Sequence, residues 1–303
     1  MANQPQTGVI SHLPEFARHI SLTMNQQHDS EQLRRAMVQV PKLTQAFAKE
    51  FPDAGIASTV ALSPKAWSAI YEEACPNLIP FPEIKLKRET IDPTPVDFFI
   101  QICANRFDIA VELSLSILQW FRLDTELKEE IVCYRYFSGR DLTGFSGHTS
   151  QQLSPEEKTK YAVIDDEGTL EDGGSYVNVQ RYTFDMPRWQ NLPVSVQEEV
   201  MGKDKRSGND IEPDEEDMPH IHRVRHAGNI DLVRAGMPYG DSREQGHSFI
   251  SFASKADAFV RILDAMTQAD EHGHSDPLLR YAKPVTGASL FAPSIDFLLK
   301  HSL

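Results

Sequence analysis

The chain runs through one order of segments, strand-like alternating with helix-like, and after a polar stretch it runs through a comparable order again. Whatever it folds into must therefore be built from two similar parts. In the first part, residues 20–24 (ISLTM) lean towards β structure. Asp29 and Ser30 then offer N-caps to a helix carrying Leu33, Met37, Val40, Leu43 and Phe47 near helical spacing, which stops around Phe51-Pro52. Residues 55–62 (GIASTVAL) read as a strand, 64–74 as a short helix with Pro64 near its first turn, and 96–104 (VDFFIQICA) as a buried strand. A long helix over 108–121 presents Ile109, Val111, Leu113, Ile117, Leu118 and Phe121 as a broad apolar face, and 131–137 (IVCYRYF) closes the unit as a strand.

After the polar stretch 150–174, residues 175–184 (SYVNVQRYTF) alternate as a strand behind the turn Gly173-Gly174. A helix near 195–201 leads into a loop, 203–219, whose six acidic residues between Asp210 and Asp217 read as a solvated run. Then come 230–233, a strand over 248–253, a helix over 256–269, a β-like stretch near 289–291 and a final apolar helix. The expected fold is α+β: two halves, 1–150 and 151–303, each an antiparallel sheet with helices on its outer face. Packed sheet to sheet, they would enclose a pocket.

With 303 residues the chain is long enough to bury a core unaided. Thirty Lys and Arg against forty-four Asp and Glu leave a net charge of −14, which argues against nucleic acid or an acidic membrane surface as partner. Cys75, Cys103 and Cys133 are an odd set without CxxC spacing, which suits a reducing compartment. The start, MANQPQTGVI, has neither a basic nor an apolar leader region, and no stretch reaches the ~18 apolar residues needed to span a bilayer. A cytoplasmic location is the expectation.

Four histidines lie between His220 and His247, and the HxH pair of His220 and His222 would, on a strand, put both rings on one face and suit zinc or iron. A charge-balanced surface loop is the other reading of HIHRVRH. HExxH, Walker A, GxSxG and GxGxxG sequences are all absent, so zinc proteases, NTPases, α/β-hydrolases and dinucleotide dehydrogenases lose support. Arg234 is a cation in an apolar, turn-rich setting, either a structural ion pair or a functional group.

Taken in order, RDLTGF (140–145), GGSYVNVQRY (173–182), VMGK (200–203), HIHRV (220–224), VRAGMPYG (233–240), REQG (243–246), KPVTG (283–287) and FAPS (291–294) resemble the dye-decolorizing (DyP-type) heme peroxidases, especially the bacterial cytoplasmic subgroup with the TyrA-like proteins. The resemblance implies two ferredoxin-like halves forming a dimeric α+β barrel, with heme b (iron protoporphyrin IX) held between them. It implies oxidation of small aromatic or dye-like reductants by hydrogen peroxide, and a homo-oligomer, a dimer or larger. By position, His220 matches the proximal iron ligand, with Pro219 before it where Ser is usual. Asp276 matches the acid that holds the other ring N–H, Arg234 the distal arginine, and Phe249 a distal apolar wall. Lys203 stands where an arginine close to a heme propionate is usual.

The sequence departs from the family's GFxDGTxNP signature, reading GFSGHTSQQ from Gly144 to Gln152. Gly147 takes the place of the distal aspartate, His148 that of the following glycine, and Thr149 keeps its place on the same cofactor wall. Glycine cannot move a proton between peroxide oxygens, so weakened activity is expected. Gly236 stands where this subgroup tends to have Ser, and His247 where Leu is common. His148 is the first candidate to replace the missing acid–base group. His247 is a second, either in that role or as a sixth iron ligand that would close the site. A non-catalytic heme-binding, storage or sensing protein is the alternative function.

Overall fold

The computed structural model describes residues 3–72, 78–86, 90–146, 153–213, 218–226, 231–270 and 272–302. In the first half the elements are β1 (Phe16–Met24), α1 (Ser30–Glu50), β2 (Ala57–Leu62), α2 (Pro64–Ile70), the small hairpin β3 (Ile84–Lys85) and β4 (Thr90–Ile91), β5 (Phe98–Ala104), α3 (Phe107–Phe121) and β6 (Thr125–Tyr134). Asp29 caps α1 as expected, its carboxylate accepting the N–H groups of Glu31 and Gln32. Ser63 caps α2, which is shorter than the 64–74 read from sequence.

The second half comprises α4 (Pro155–Ala162), β7 (Ser175–Phe184), α5 (Met186–Gln190), α6 (Val194–Met201), α7 (His220–His226), β8 (Val233–Arg234), β9 (Met237–Gly240), β10 (Gln245–Ala253), α8 (Ala258–Thr267), β11 (Ala282–Ala292) and α9 (Ile295–Lys300). The 289–291 stretch is the end of an eleven-residue strand. The HIHRVRH segment corrects the sequence reading: it forms a helix, where residues two apart point to different sides. Pro219, whose carbonyl accepts the N–H groups of His222 and Arg223, starts that helix.

All large strands join one antiparallel sheet in the order β7-β11-β2-β5-β1-β6-β9-β10-β8, and a further β7–β10 pairing closes it into a barrel. The strands of each half pair over long registers, as β7 does with β11 from Ser175↔Ala292 to Phe184↔Ala282. Between the halves the paired residues are Phe291↔Leu62 on one seam and Cys133↔Tyr239 on the other.

Period-two alternation sorts the side chains. From β1 and β5, Ile20, Leu22, Phe98, Ile100 and Ile102 face α1 and α3 and form the largest apolar cluster with Leu33, Met37, Leu113, Ile117 and Phe121. The residues between them point into the barrel, where Phe99 meets Val177, Ile250, Phe252 and Leu290 of the second half. His19 is 1% exposed there, its Nδ1 sharing a 2.8 Å hydrogen bond with the Ser248 hydroxyl across the interior. Burial pulls its pKa down to about 3.

Candidate functional site

The same alternation builds a cleft on the outer side of the second half's strands. Gln180, Tyr182 and Phe184 of β7 and His247 and Phe249 of β10 project into it. Opposite them, α7 contributes His220, Ile221 and Val224, and α8 contributes Phe259, Ile262, Leu263 and Met266. The space amounts to about 1180 Å³ with its open mouth included.

His220, at the first position of α7, donates its Nδ1 proton to Asp276 Oδ2 over 2.7 Å. Asp276 itself has no exposed side-chain surface. Its second oxygen accepts the Leu278 N–H at 2.9 Å, and its own N–H donates to the Met266 carbonyl at 3.0 Å. Because a carboxylate only accepts, a proton sits on Nδ1, and in the neutral ring Nε2 carries the available lone pair.

Two devices fix α7 in place. Arg223, buried, ties the helix to the loop ahead of Asp276 through the His274 carbonyl at 2.7 Å and the Asp270 carboxylate, and its Nε donates to the Met218 carbonyl. Gly202, at φ +75°, ends α6 in the left-handed region, and a Cβ there would lie 2.7 Å from Ile221 Cγ2 and 2.8 Å from Pro219 Cβ. The His222 ring turns away from the cleft and bonds the Ile211 carbonyl at 2.8 Å. The HxH zinc reading therefore fails: among the described residues no cluster of three or more His, Cys, Asp or Glu is arranged to hold a bare metal ion.

The cleft's electrostatics are set by burial. Burial lowers the pKa of Arg234, with Arg225 adding a smaller push, and it also lowers that of Lys203, against the pull of Asp210. It raises the Tyr182 phenol, and Asp276 raises it further; the phenol hydroxyl donates to Gln180 Oε1 at 2.6 Å. The Gln180 Nε2 is buried in the cleft wall without a hydrogen-bond partner among the described residues. Asp141 is raised by burial, opposed by the hydroxyl and the N–H of Thr143, both of which donate to its Oδ1.

Of the residues singled out from sequence, His220, Asp276, Lys203, Arg234, His247 and Phe249 thus come together, Asp276 standing directly behind His220. Gly147, His148 and Thr149 lie outside the described residues. Asp141, Gln180 and Tyr182 were not singled out, although each sits inside a segment that carried the resemblance. The signal that could have found the latter two was the alternation of 175–184, which places both on the face opposite Val177 and Val179.

Two family models match the chain. A model described as Dyp-type peroxidase, N-terminal, matches residues 6–135, and one described as Dyp-type peroxidase, C-terminal, matches 138–297. A dye-decolorizing peroxidase of Mycobacterium tuberculosis is 31% identical over 275 residues, covering 87% of this chain and 81% of its own length. Among solved structures, a dyp-type peroxidase protein from Shewanella oneidensis superposes with a TM-score of 0.90 at 30% identity, covering 98% of both chains. A dye-decolorizing peroxidase from Bacteroides thetaiotaomicron gives 0.90 at 28%, covering 99% of both.

Proposed function

The chain belongs to the Dyp-type peroxidase family of heme-dependent enzymes, and we propose that it binds heme b in the His220 cleft and uses hydrogen peroxide to oxidise small aromatic or dye-like reductants. The observation that carries this reading is the His220–Asp276 pair at 2.7 Å in the wall of that cleft. The remaining residues fit the cofactor. Lys203 and Arg234 supply cations for its propionates, Phe249, Ile262, Leu263 and Met266 supply apolar walls, and Gln180 Nε2, without a partner among the described residues, offers a donor. Gly147 and Thr149 are assigned to the same cofactor wall by their place in the departed signature.

Heme b, when bound, supplies the redox-active iron. Asp276 keeps the proton on His220 Nδ1, which orients the ring and raises its donor strength. Arg234, charged throughout, holds a peroxide oxygen and offsets charge on the departing hydroxide. The aliphatic wall excludes water. With glycine at 147, a factor of about 10²–10⁴ in rate is lost unless another group moves the proton. His148, next in sequence, and His247, in the cleft wall, are the candidates.

The division into ferredoxin-like halves, 1–150 and 151–303, is supported by the long pairings within each half and the brief ones between them. A reducing cytoplasm suits the buried free thiols of Cys103 and Cys133. Among the described residues no helix is long and apolar enough to cross a membrane. A homo-oligomer, a dimer or larger, is the assembly we expect.

Hemin titration tests the reading: a Soret band near 400 nm should form in wild type and be lost in His220→Ala. Arg234→Leu should keep the band and nearly abolish peroxide turnover; full turnover in that variant overturns its assignment. The rival reading, a non-catalytic heme-binding, storage or sensing protein, draws on the glycine at 147. It gains if loaded wild type shows a Soret band and no turnover.

A further inference from the structure

Residues directly opposite each other in a sheet share a face, and across β11, β7 and β10 the row Gly287↔Gln180↔Phe249 runs over the outer side that forms the cleft. Gln180 and Phe249 line the cleft, whereas Gly287 brings no side chain to its end of the row. That space is taken by Phe81 of the first half: a Cβ at 287 would lie 2.2 Å from its ring Cε1, 2.3 Å from Cζ and 2.9 Å from Cδ1. Gly287 also anchors Thr94, its carbonyl accepting the Thr94 N–H at 2.7 Å and its own N–H donating to the Thr94 hydroxyl at 3.0 Å. Phe81 and Thr94 stand on either side of the β3–β4 hairpin. The glycine of KPVTG is therefore the seat on which this first-half segment docks.

Helix α8 is gripped from two sides. Ala258, Ile262 and Met266 pack with Leu232 and Ala253 of the second half, while Phe259 and Leu263, one turn apart, pack with Phe81 and Ile84 of the first. Phe259 is the link: its ring centroid lies 5.6 Å from that of Phe81 and 6.1 Å from that of Phe249. Phe81 is 5% exposed and stands behind the cleft wall, of which Phe259 and Leu263 are part. Interiors are close-packed, so a void left behind Phe259 would let its ring and the helix relax away from the cleft.

We infer that Phe81, seated on Gly287, is a positioning residue for the cofactor site. It holds Phe259 and Leu263 in the cleft wall, so the first half clasps a heme whose iron ligand, His220, belongs to the second. The inference rests on the heme reading above. Gly287 acts through Phe81 alone: any side chain at 287 meets the ring first, and with the ring gone that side chain has room.

The test follows hemin release to excess apomyoglobin, by Soret absorbance, from heme-loaded wild type, Phe81→Ala, Gly287→Ala, the double variant and Phe121→Leu. Phe121, fully buried in α3 away from the cleft, is the control for lost stability as such. Phe81→Ala and Gly287→Ala should each release hemin about tenfold faster, the size of effect one aromatic pair carries. The double variant should release it no faster than Phe81→Ala. Phe121→Leu should melt at a lower temperature and release hemin at the wild-type rate. Wild-type release from Phe81→Ala or from Gly287→Ala overturns the inference, and if Phe81→Ala does not fold, Gly287→Ala alone decides. Full additivity in the double variant also overturns it, as does equally fast release from Phe121→Leu. Absence of any Soret band in wild type is the separate failure that removes the underlying heme reading.

Discussion

Replacing Asp276 with asparagine removes one negative charge while leaving size and shape almost unchanged. Asp276 accepts two buried donors, the His220 ring at 2.7 Å and the Leu278 N–H at 2.9 Å, and has no exposed side-chain surface. An amide has a single oxygen, so it can satisfy one donor well and must turn its NH₂ towards the other. If the oxygen stays on His220, a charge-assisted bond of about 1.5–3 kcal/mol becomes a neutral one of about 0.5–1.5 kcal/mol. The loss at the His220 ring is then about 1–2 kcal/mol, or about 5–30-fold, which overlaps the lower part of the roughly 10–100-fold in affinity usual for a group that orients a metal-bound histidine. The released Leu278 N–H adds a separate penalty of about 1 kcal/mol in stability, as for a lost cap. Hemin titration by Soret absorbance should therefore show about 5–30-fold weaker binding in Asp276→Asn, with a raised iron reduction potential because the imidazole donates less. A variant that melts near the wild-type temperature and keeps both affinity and potential would refute the claim that Asp276 acts through His220.

Two other perturbations follow from the same structure. His19, with its pKa pulled down to about 3 by burial, refuses a proton that the unfolded chain accepts below about pH 6.5, so stability should fall as pH falls through that window, by up to about 1.4 kcal/mol per pH unit. Urea denaturation of wild type and His19→Asn between pH 7 and 4 checks this, and equal slopes would exclude His19 as the source. Gly202→Ala forces a side chain into the left-handed region and against Pro219, Ile221 and His222; it should destabilise by about 1–3 kcal/mol and weaken hemin binding through the displaced α7. Wild-type hemin affinity in that variant would show that α7 does not depend on this close approach.

What the sequence made legible was whatever a local pattern could carry. Strand 175–184 is found where its alternation put it, and α1 begins at the cap that Asp29 announced. β6 was read as 131–137 because only its apolar end looked like a strand; it runs over Thr125–Tyr134, its first part carrying the charges Glu126, Lys128, Glu129 and Glu130. It stops before Phe137 and Ser138, where positive φ turns the chain away. The helical nature of HIHRVRH was hidden because histidine and arginine mark no apolar face, although Pro219 was a start signal. The His220–Asp276 bond spans 56 residues and was reachable only through the family resemblance. The approach of His247 to Gly236 depends on how closely two strands lie, a distance no local pattern encodes.

The barrel seams have a consequence for how the molecule comes apart. Among the described residues the strand ladder between the lobes is short, Phe291↔Leu62 on one side and Cys133↔Tyr239 on the other, whereas the ladders inside each lobe are long. Cohesion between the lobes then rests mainly on side chains: the interlocked Phe99, Val177, Ile250 and Phe252 packing, the Trp67, Phe291 and Phe297 rings, the His19–Ser248 hydrogen bond and the Arg181–Glu129 ion pair; local opening along the two seams leaves the ladders inside either lobe intact. Deuterium uptake would then divide the main chain into two cooperative blocks that meet at those lines.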